Sequence, residues 1–202
     1  MNKSNNIWVV SLKVIMMSFF ATVVSFMLNC LIAVVAAKNF FASDAVGTRV
    51  LMQVVGIIVE FIFIYGTIWD CGHNDQLYVN LGQKNYSVYR GVLIGFISAI
   101  PYYLMAIAMM LMSFDLIPDI TGLMRVLSSQ FWGIYTFLLP VITTSNETAD
   151  PSFAQSAATP AQAIAAVFVP TIIPLLSYVP YLLGRKGIAI GERLVYSFKK
   201  KN

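Results

Sequence analysis

The chain has 202 residues, of which 58% are hydrophobic and 11% charged, and its formal net charge is +4. A mean hydropathy of +0.76, with less than half the roughly 25% of charged residues usual in soluble domains, excludes a water-soluble globular protein. The excess of base does not point to nucleic acid, because six of the 13 Lys and Arg lie after Gly184, where the cytoplasmic end of a membrane protein collects them.

In chain order, four runs are almost free of charge: 14–37, 50–69 (Glu60 apart), 91–114 and 159–184. A span takes roughly 20 apolar residues as helix, and backbone inside lipid must satisfy its own hydrogen bonds. The first helix is predicted over 8–36, with Trp8 and Lys13 at its membrane-surface end. It is a retained span, since its apolar run is about twice the ~7–15 residues of a signal-peptide core and Ala36-Ala37-Lys38 is the nearest approach to a cleavage site. A linker at 38–49 leads to a second helix over 50–69, closed by Trp69 in the aromatic belt. Residues 70–90 read as a polar loop, and 91–113 as a third helix with Pro101 inside it. Residues 122–142 would place Trp132 near the bilayer centre; aromatic-belt residues favour headgroup depth, so an interfacial or re-entrant helix is preferred to a fifth span. Residues 143–160 form a small, polar, proline-punctuated loop. The last span, 161–184, carries Pro170, Pro174 and Pro180 and should be kinked or broken. Residues 188–200 place Ile190, Leu194, Val195 and Phe198 on one face, the pattern of an amphipathic helix on the inner leaflet.

Both span counts obey the positive-inside rule. With four spans, Lys3, Lys13, Lys84, Arg90 and the six C-terminal bases (Arg185, Lys186, Arg193, Lys199, Lys200, Lys201) are inside, ten against Lys38, Arg49 and Arg125 outside. With five, nine are inside and four outside. Either way the C-terminus is cytoplasmic. The two cysteines make no disulfide framework: Cys30 reads as a core residue of the first span and Cys71 as a loop residue.

Three constellations carry functional groups. Trp69-Asp70-Cys71-Gly72-His73-Asn74-Asp75-Gln76 offers ligands competent for a transition metal and an acid–base histidine. One His and one Cys are a thin set, however, and turn chemistry explains the residue types. Asp70, Cys71, His73, Asp75, Lys84 and Arg90 are therefore expected to form a contact surface without a metal, with the carboxylates bound to backbone amides or paired with Lys84 or Arg90. Glu60 lies mid-span, where a charge is costly. The expectation is a protonated interhelical contact bonded to Asn29, Ser25 or Gln53, with an ion or proton path as the functional alternative. Gly91-x-x-x-Gly95 permits close helix approach. No Walker A, GxSxG, HExxH or dinucleotide fingerprint occurs, so no cofactor is expected, and no internal repeat marks a transporter.

Trp69 to Gln76, then Arg90-Gly91 with Gly95 and Pro101, then Tyr181-Leu182-Leu183-Gly184-Arg185-Lys186-Gly187-Ile188 with Tyr196 before the lysines, resemble an uncharacterised family of small bacterial multi-span integral membrane proteins. The family pattern has Asn after the acidic residue where this chain has Asp75-Gln76. The resemblance implies an integral membrane protein of unassigned activity and transfers no catalytic residue; the expected location is the bacterial plasma membrane.

The reading is an all-α polytopic helical membrane bundle of four to five spans (1–184) with a basic amphipathic cytoplasmic tail (185–202). It is expected to be a non-catalytic accessory or interaction subunit of a membrane assembly. Its partners would be anionic inner-leaflet lipid and a membrane protein or a second copy. The alternatives are a small transporter or channel subunit using Glu60, and an enzyme acting on lipid headgroups through His73 and Asp75.

Overall fold

In an apolar run only helix satisfies its own backbone, and the computed structural model is helical throughout. It describes residues 6–35, 45–83, 85–114, 116–118, 121–139 and 159–190, among which there is no strand. The helices are α1 (Ile7–Val35), α2 (Ala45–Asn80), α3 (Arg90–Ser113), α4 (Thr121–Leu127), α5 (Trp132–Leu138), α6 (Pro160–Val167) and α7 (Ile172–Arg185). Among the described residues, four stretches are long and apolar enough to cross a membrane: Ile7–Val35, Val46–Asn80, Arg90–Ser113 and Pro160–Arg185. At 1.5 Å per residue α1 is about 44 Å long, well beyond the ~30 Å of a hydrocarbon core.

The segment expected as a loop from residue 70 is helix as far as Asn80. The reason lies in burial: Ile64, Ile68, Cys71, Gly72 and Asp75 are all buried, at the spacing of one helical face. Cys71 is thus a helix residue and 3% exposed. The helix stops at Gly82, whose φ of 67° suits glycine. Gln83 N–H donates to Tyr78 O and Gly82 N–H to Val79 O, each at 3.0 Å, the paired bonds of a Schellman end.

Residues 121–138 do not form a fifth long helix. α4 and α5 have seven residues each and flank a 3-10 turn at Ser129–Phe131. Each is about 10 Å long, too short to cross alone. The last span is broken, as its prolines require. Thr159 and Gln162 make a reciprocal cap with Pro160 in the first turn of α6. Pro170 lies in the 3-10 turn Val169–Thr171, Pro174 in the first turn of α7, where its missing N–H costs little, and Pro180 inside α7.

α7 ends at Gly187, with Ile188 N–H on Leu183 O and Gly187 N–H on Gly184 O, both 2.9 Å. The chain beyond is strapped to α2: Trp69 Nε1 donates to Ile188 O at 2.8 Å, and Ile190 N–H donates to the Tyr65 hydroxyl at 3.0 Å. The amphipathic helix expected over 188–200 lies outside the described residues after 190. So do most of the 143–160 loop and Lys84, Arg193, Lys199, Lys200 and Lys201.

By internal packing the chain divides into two units. Unit 1 takes Met1–Met17, Phe61–Ala99 and Thr171–Asn202; unit 2 takes Ser18–Glu60 and Ile100–Pro170. Unit 1 has an apolar core of Val10, Val14, Ile64, Ile68, Cys71, Ile94 and Tyr181. Its helices meet through glycine. A Cβ on Gly72 would lie 2.2 Å from Tyr181 O, and one on Gly184 2.1 Å from Trp69 O. Gly91 faces the Tyr181 ring and Gly95 the Pro174 backbone, the close approach expected of that pair. Unit 2 buries Ser18, Thr22, Ser25, Asn29, Glu60, Arg125, Ser128, Ser129 and Gln130 beside Tyr102, Phe131 and Tyr135.

Along α1 the usual polarity is inverted. Ser11, Ser18, Thr22, Ser25 and Asn29 are buried, while Trp8, Leu12, Met16, Phe19, Val23, Met27, Leu31 and Val34 are exposed. Cys30, expected in the core, belongs to the exposed side, because the inward face is taken by its neighbour Asn29.

Candidate functional site

Each unit holds one polar cluster. In unit 1 it is centred on Asp75, which is completely buried. Helical spacing from Ile68 and Cys71 turns Asp75 inward, and α3 begins at Arg90, which brings its guanidinium onto the carboxylate. Arg90 Nη1 pairs with Asp75 Oδ1, and the Tyr181 hydroxyl donates to Oδ2 at 2.8 Å with Ser87 O at 3.2 Å. Arg90 also lies over the Tyr86 ring, 4.5 Å from its centroid, a favourable placement for a guanidinium. Around this lock, Arg185 reaches Gln76 Oε1 and Tyr86 O, each at 3.3 Å. The cluster thus uses two of the sequence-named contact residues, Asp75 and Arg90. Tyr181, Tyr86 and Gln76 were not anticipated in it.

The other members of that surface disperse around α2. Asp70 is exposed, and His73 stacks flat on Trp69 with centroids 5.1 Å apart and 6° between the planes. The stack fixes the imidazole against an indole one helical turn away. Among the described residues no three of His, Cys, Asp and Glu are grouped so as to hold a metal ion. An open, largely apolar groove of about 680 Å³ in the same unit is lined by Ile7, Tyr86, Arg90, Leu93 and Phe96, among others, and not by Asp70, His73 or Asp75.

In unit 2 the cluster is centred on Glu60, 0% exposed. Its partner is Ser18, whose Oγ donates to Glu60 Oε1 at 2.5 Å. Glu60 Oε2 is buried with no hydrogen-bond partner among the described residues. Thr22 Oγ1 lies 2.9 Å from Ser18 O, 2.7 Å from Gln130 Oε1 and 3.1 Å from the Tyr102 hydroxyl. With one proton to give, Thr22 donates to one of the first two and can accept from Tyr102. The Tyr102 hydroxyl is thus joined to the cluster through Thr22.

The partners expected for Glu60 do other work. Asn29 Nδ2 donates to Ser129 O at 2.9 Å, Gln53 Nε2 to Gln130 O at 3.2 Å, and Ile134 N–H to Gln53 Oε1 at 3.0 Å. Ser129 Oγ donates to Thr22 O at 2.6 Å, and Ser25 makes no bond to Glu60. Asn29 and Gln53 thus satisfy the backbone of the turn between α4 and α5, which a broken helix among apolar surroundings requires. Glycine lets that turn sit close: a Cβ on Gly56 would lie 2.3 Å from Gln130 O, and one on Gly133 2.3 Å from Arg49 O. A readable signal for Ser18 did exist, since Ser11, Ser18, Thr22, Ser25 and Asn29 fall on one helical face.

No protein-family model, no curated protein and no solved structure matches this chain.

Proposed function

We propose that this chain is a four-span integral membrane protein that acts as a non-catalytic accessory or interaction subunit of a membrane assembly. The observation that carries the reading is the inverted burial of α1, small polar residues inside and large apolar residues outside. Such a surface is solvated by lipid, and a protein built so meets its partners laterally. The placement of the reactive groups supports it too. Asp75, the acid needed by a headgroup enzyme, is buried and engaged by Arg90 and Tyr181, and His73 is stacked on Trp69.

The face proposed for contact is that of α1, the span with the smallest buried share, 28% of its most apolar window against 39%, 39% and 44% for the others. A photoreactive amino acid placed singly at Met16, Phe19, Val23 or Met27 in native membranes should give discrete protein adducts. The same probe at Leu104 of α3, also exposed, should give lipid adducts. Lipid adducts alone at every α1 position would reject the interaction reading and leave a lone membrane protein.

The membrane is proposed to be the bacterial plasma membrane, with the C-terminus in the cytoplasm beside anionic lipid. The support is the six bases after Gly184 and the insertion bias they impose. With four spans the N-terminus lies on the same side. A single cysteine placed at Asn202, in a chain with Cys30 and Cys71 replaced, should resist a membrane-impermeant thiol reagent in intact cells and react after permeabilisation. Labelling in intact cells would reverse the orientation.

A further inference from the structure

Glu60 is the one acid in the apolar run 50–69. It belongs to a candidate span, is completely shielded from solvent, and has one oxygen bonded to a serine and the other to nothing described. A side chain serving only as a contact between helices would be expected to have both ends engaged, because a buried polar atom without a partner costs about 1–3 kcal/mol. Gln130 Nε2, in the same hydrogen-bonded cluster, is also buried and without a partner. Orphaned buried polar atoms in native proteins call for a water, an ion or a functional role.

We propose that unit 2 contains an intramembrane proton-exchange site, in which Glu60 takes up and releases one proton at Oε2, Ser18 holds Oε1, and Tyr102, Thr22 and Gln130 form the hydrogen-bonded polar cluster beside them. The inference rests on the membrane reading and not on the interaction role. The step is simple: an O–H bond of a hydronium breaks and leaves water, an O–H bond forms at Glu60 Oε2, and the carboxylate loses its charge; release to water reverses this. Ser18 donates to Oε1 in either state. Tyr102 and Thr22 are rotatable hydroxyls that each donate one hydrogen and accept others, so the bond between them can reverse direction without moving heavy atoms.

The surroundings favour a proton over a metal cation. α1 presents Ser18 and Thr22, α3 presents Tyr102, and the turn at Ser129–Phe131 presents Gln130. Among the described residues, Tyr102 is the titratable group bonded into this cluster, through Thr22. Among the described residues the hydrogen-bond partner of Glu60 is a serine, and its second oxygen has none. A buried carboxylate so placed is costly, and neutralisation by a proton relieves that cost at once. The hydroxyls are bonded to one another, and a cation taking six or more oxygens, as calcium does, would have to break them apart.

The test is infrared difference spectroscopy on the full chain in lipid nanodiscs, titrated with acid. A carboxylic-acid carbonyl band should appear as pH falls, shift in heavy water, and be absent from Glu60→Gln. Ser18→Ala should move the frequency of that band, because Ser18 bonds the same group. A Glu60-dependent band present unchanged at every accessible pH would mean a permanently protonated contact, and no such band at any pH a permanently ionised one; either overturns the proposal. A midpoint that moves with sodium concentration would mark a cation site and overturn it as well. Should Glu60→Gln fail to fold, wild-type protein treated with an apolar carbodiimide supplies the answer. An adduct at Glu60, located by mass spectrometry and lost as pH rises, supports exchange; an adduct independent of pH, or none at any pH, rejects it. None of these outcomes depends on finding a protein partner.

Discussion

Gly184→Ala and Gly72→Ala are each expected to lower the stability of the detergent-solubilised protein, by about 1–3 kcal/mol or more, whereas Gly66→Ala leaves it unchanged or raises it. The two sensitive glycines face backbone. An added methyl would lie 2.1 Å from Trp69 O at Gly184 and 2.2 Å from Tyr181 O at Gly72. A flexible side chain can swing away from such an intruder, but a carbonyl held in a helix can move only with the helix. The chain therefore has to separate α2 from α7, and every contact near that crossing loosens with it. Gly66 is also in α2 but has nothing within 4 Å of its would-be Cβ, so it feels only helix propensity, which favours alanine by roughly 0.5–1 kcal/mol. Thermal unfolding of the three variants in one detergent checks the ranking. Equal losses at all three sites would mean that the α2–α7 crossing tolerates a methyl group.

Asp75→Ala should be the most damaging polar substitution, at about 3–5 kcal/mol, because it leaves the guanidinium of Arg90 buried without its carboxylate. Arg90 has only 10% of its side chain exposed, so water cannot take over readily. Tyr181 loses its shorter acceptor and keeps Ser87 O at 3.2 Å. Tyr181→Phe should cost less, about 1.5–3 kcal/mol, the size of one hydrogen bond to a charged group. The double replacement Asp75→Leu with Arg90→Met should recover much of the loss, since removing both charges removes the desolvation penalty along with the attraction. His73→Ala, which gives up only a ring stack, should stay within about 1.5 kcal/mol of wild type. If the double variant proved no better than Asp75→Ala in chemical or thermal unfolding, the pair would be doing something other than neutralising each other in unit 1.

The length of the charge-free runs makes the helical class and the four long apolar stretches readable in the sequence, and proline placement makes the break near Pro170 readable as well. Two things were hidden. The continuation of α2 through Asp70 to Asn80 was masked by polar residue types that favour turns, though Ile64, Ile68, Cys71, Gly72 and Asp75 already traced one inward face. Polarity was read as exposure, and a buried, paired aspartate breaks that rule. The partner of Glu60 was the second. The inward stripe of α1 could be drawn from spacing, but which rung of it meets Glu60 depends on how far one helix is slid along another. That register is decided by contacts such as Gln53 and Asn29 on the turn after α4, which no single helix encodes. The same limit explains why Asn29 and Gln53 were assigned to the carboxylate when their amides in fact satisfy backbone.

The glycine crossing and the aspartate lock also bear on kinship. Outward positions of a lipid-facing helix, such as Ile100 or Leu104 of α3, accept any bulky apolar residue, so descent should erase overall resemblance among such proteins quickly. Gly72 and Gly184 cannot drift without parting two helices, and Asp75, Arg90 and Tyr181 can change only in concert. A lineage sharing this architecture would therefore be recognised by a sparse fingerprint: Gly and Asp three positions apart, then Arg-Gly with a second glycine four further on, then Tyr and Gly three apart near the last span. Those few letters, spread over more than a hundred positions of interchangeable oil, are where ancestry would remain readable.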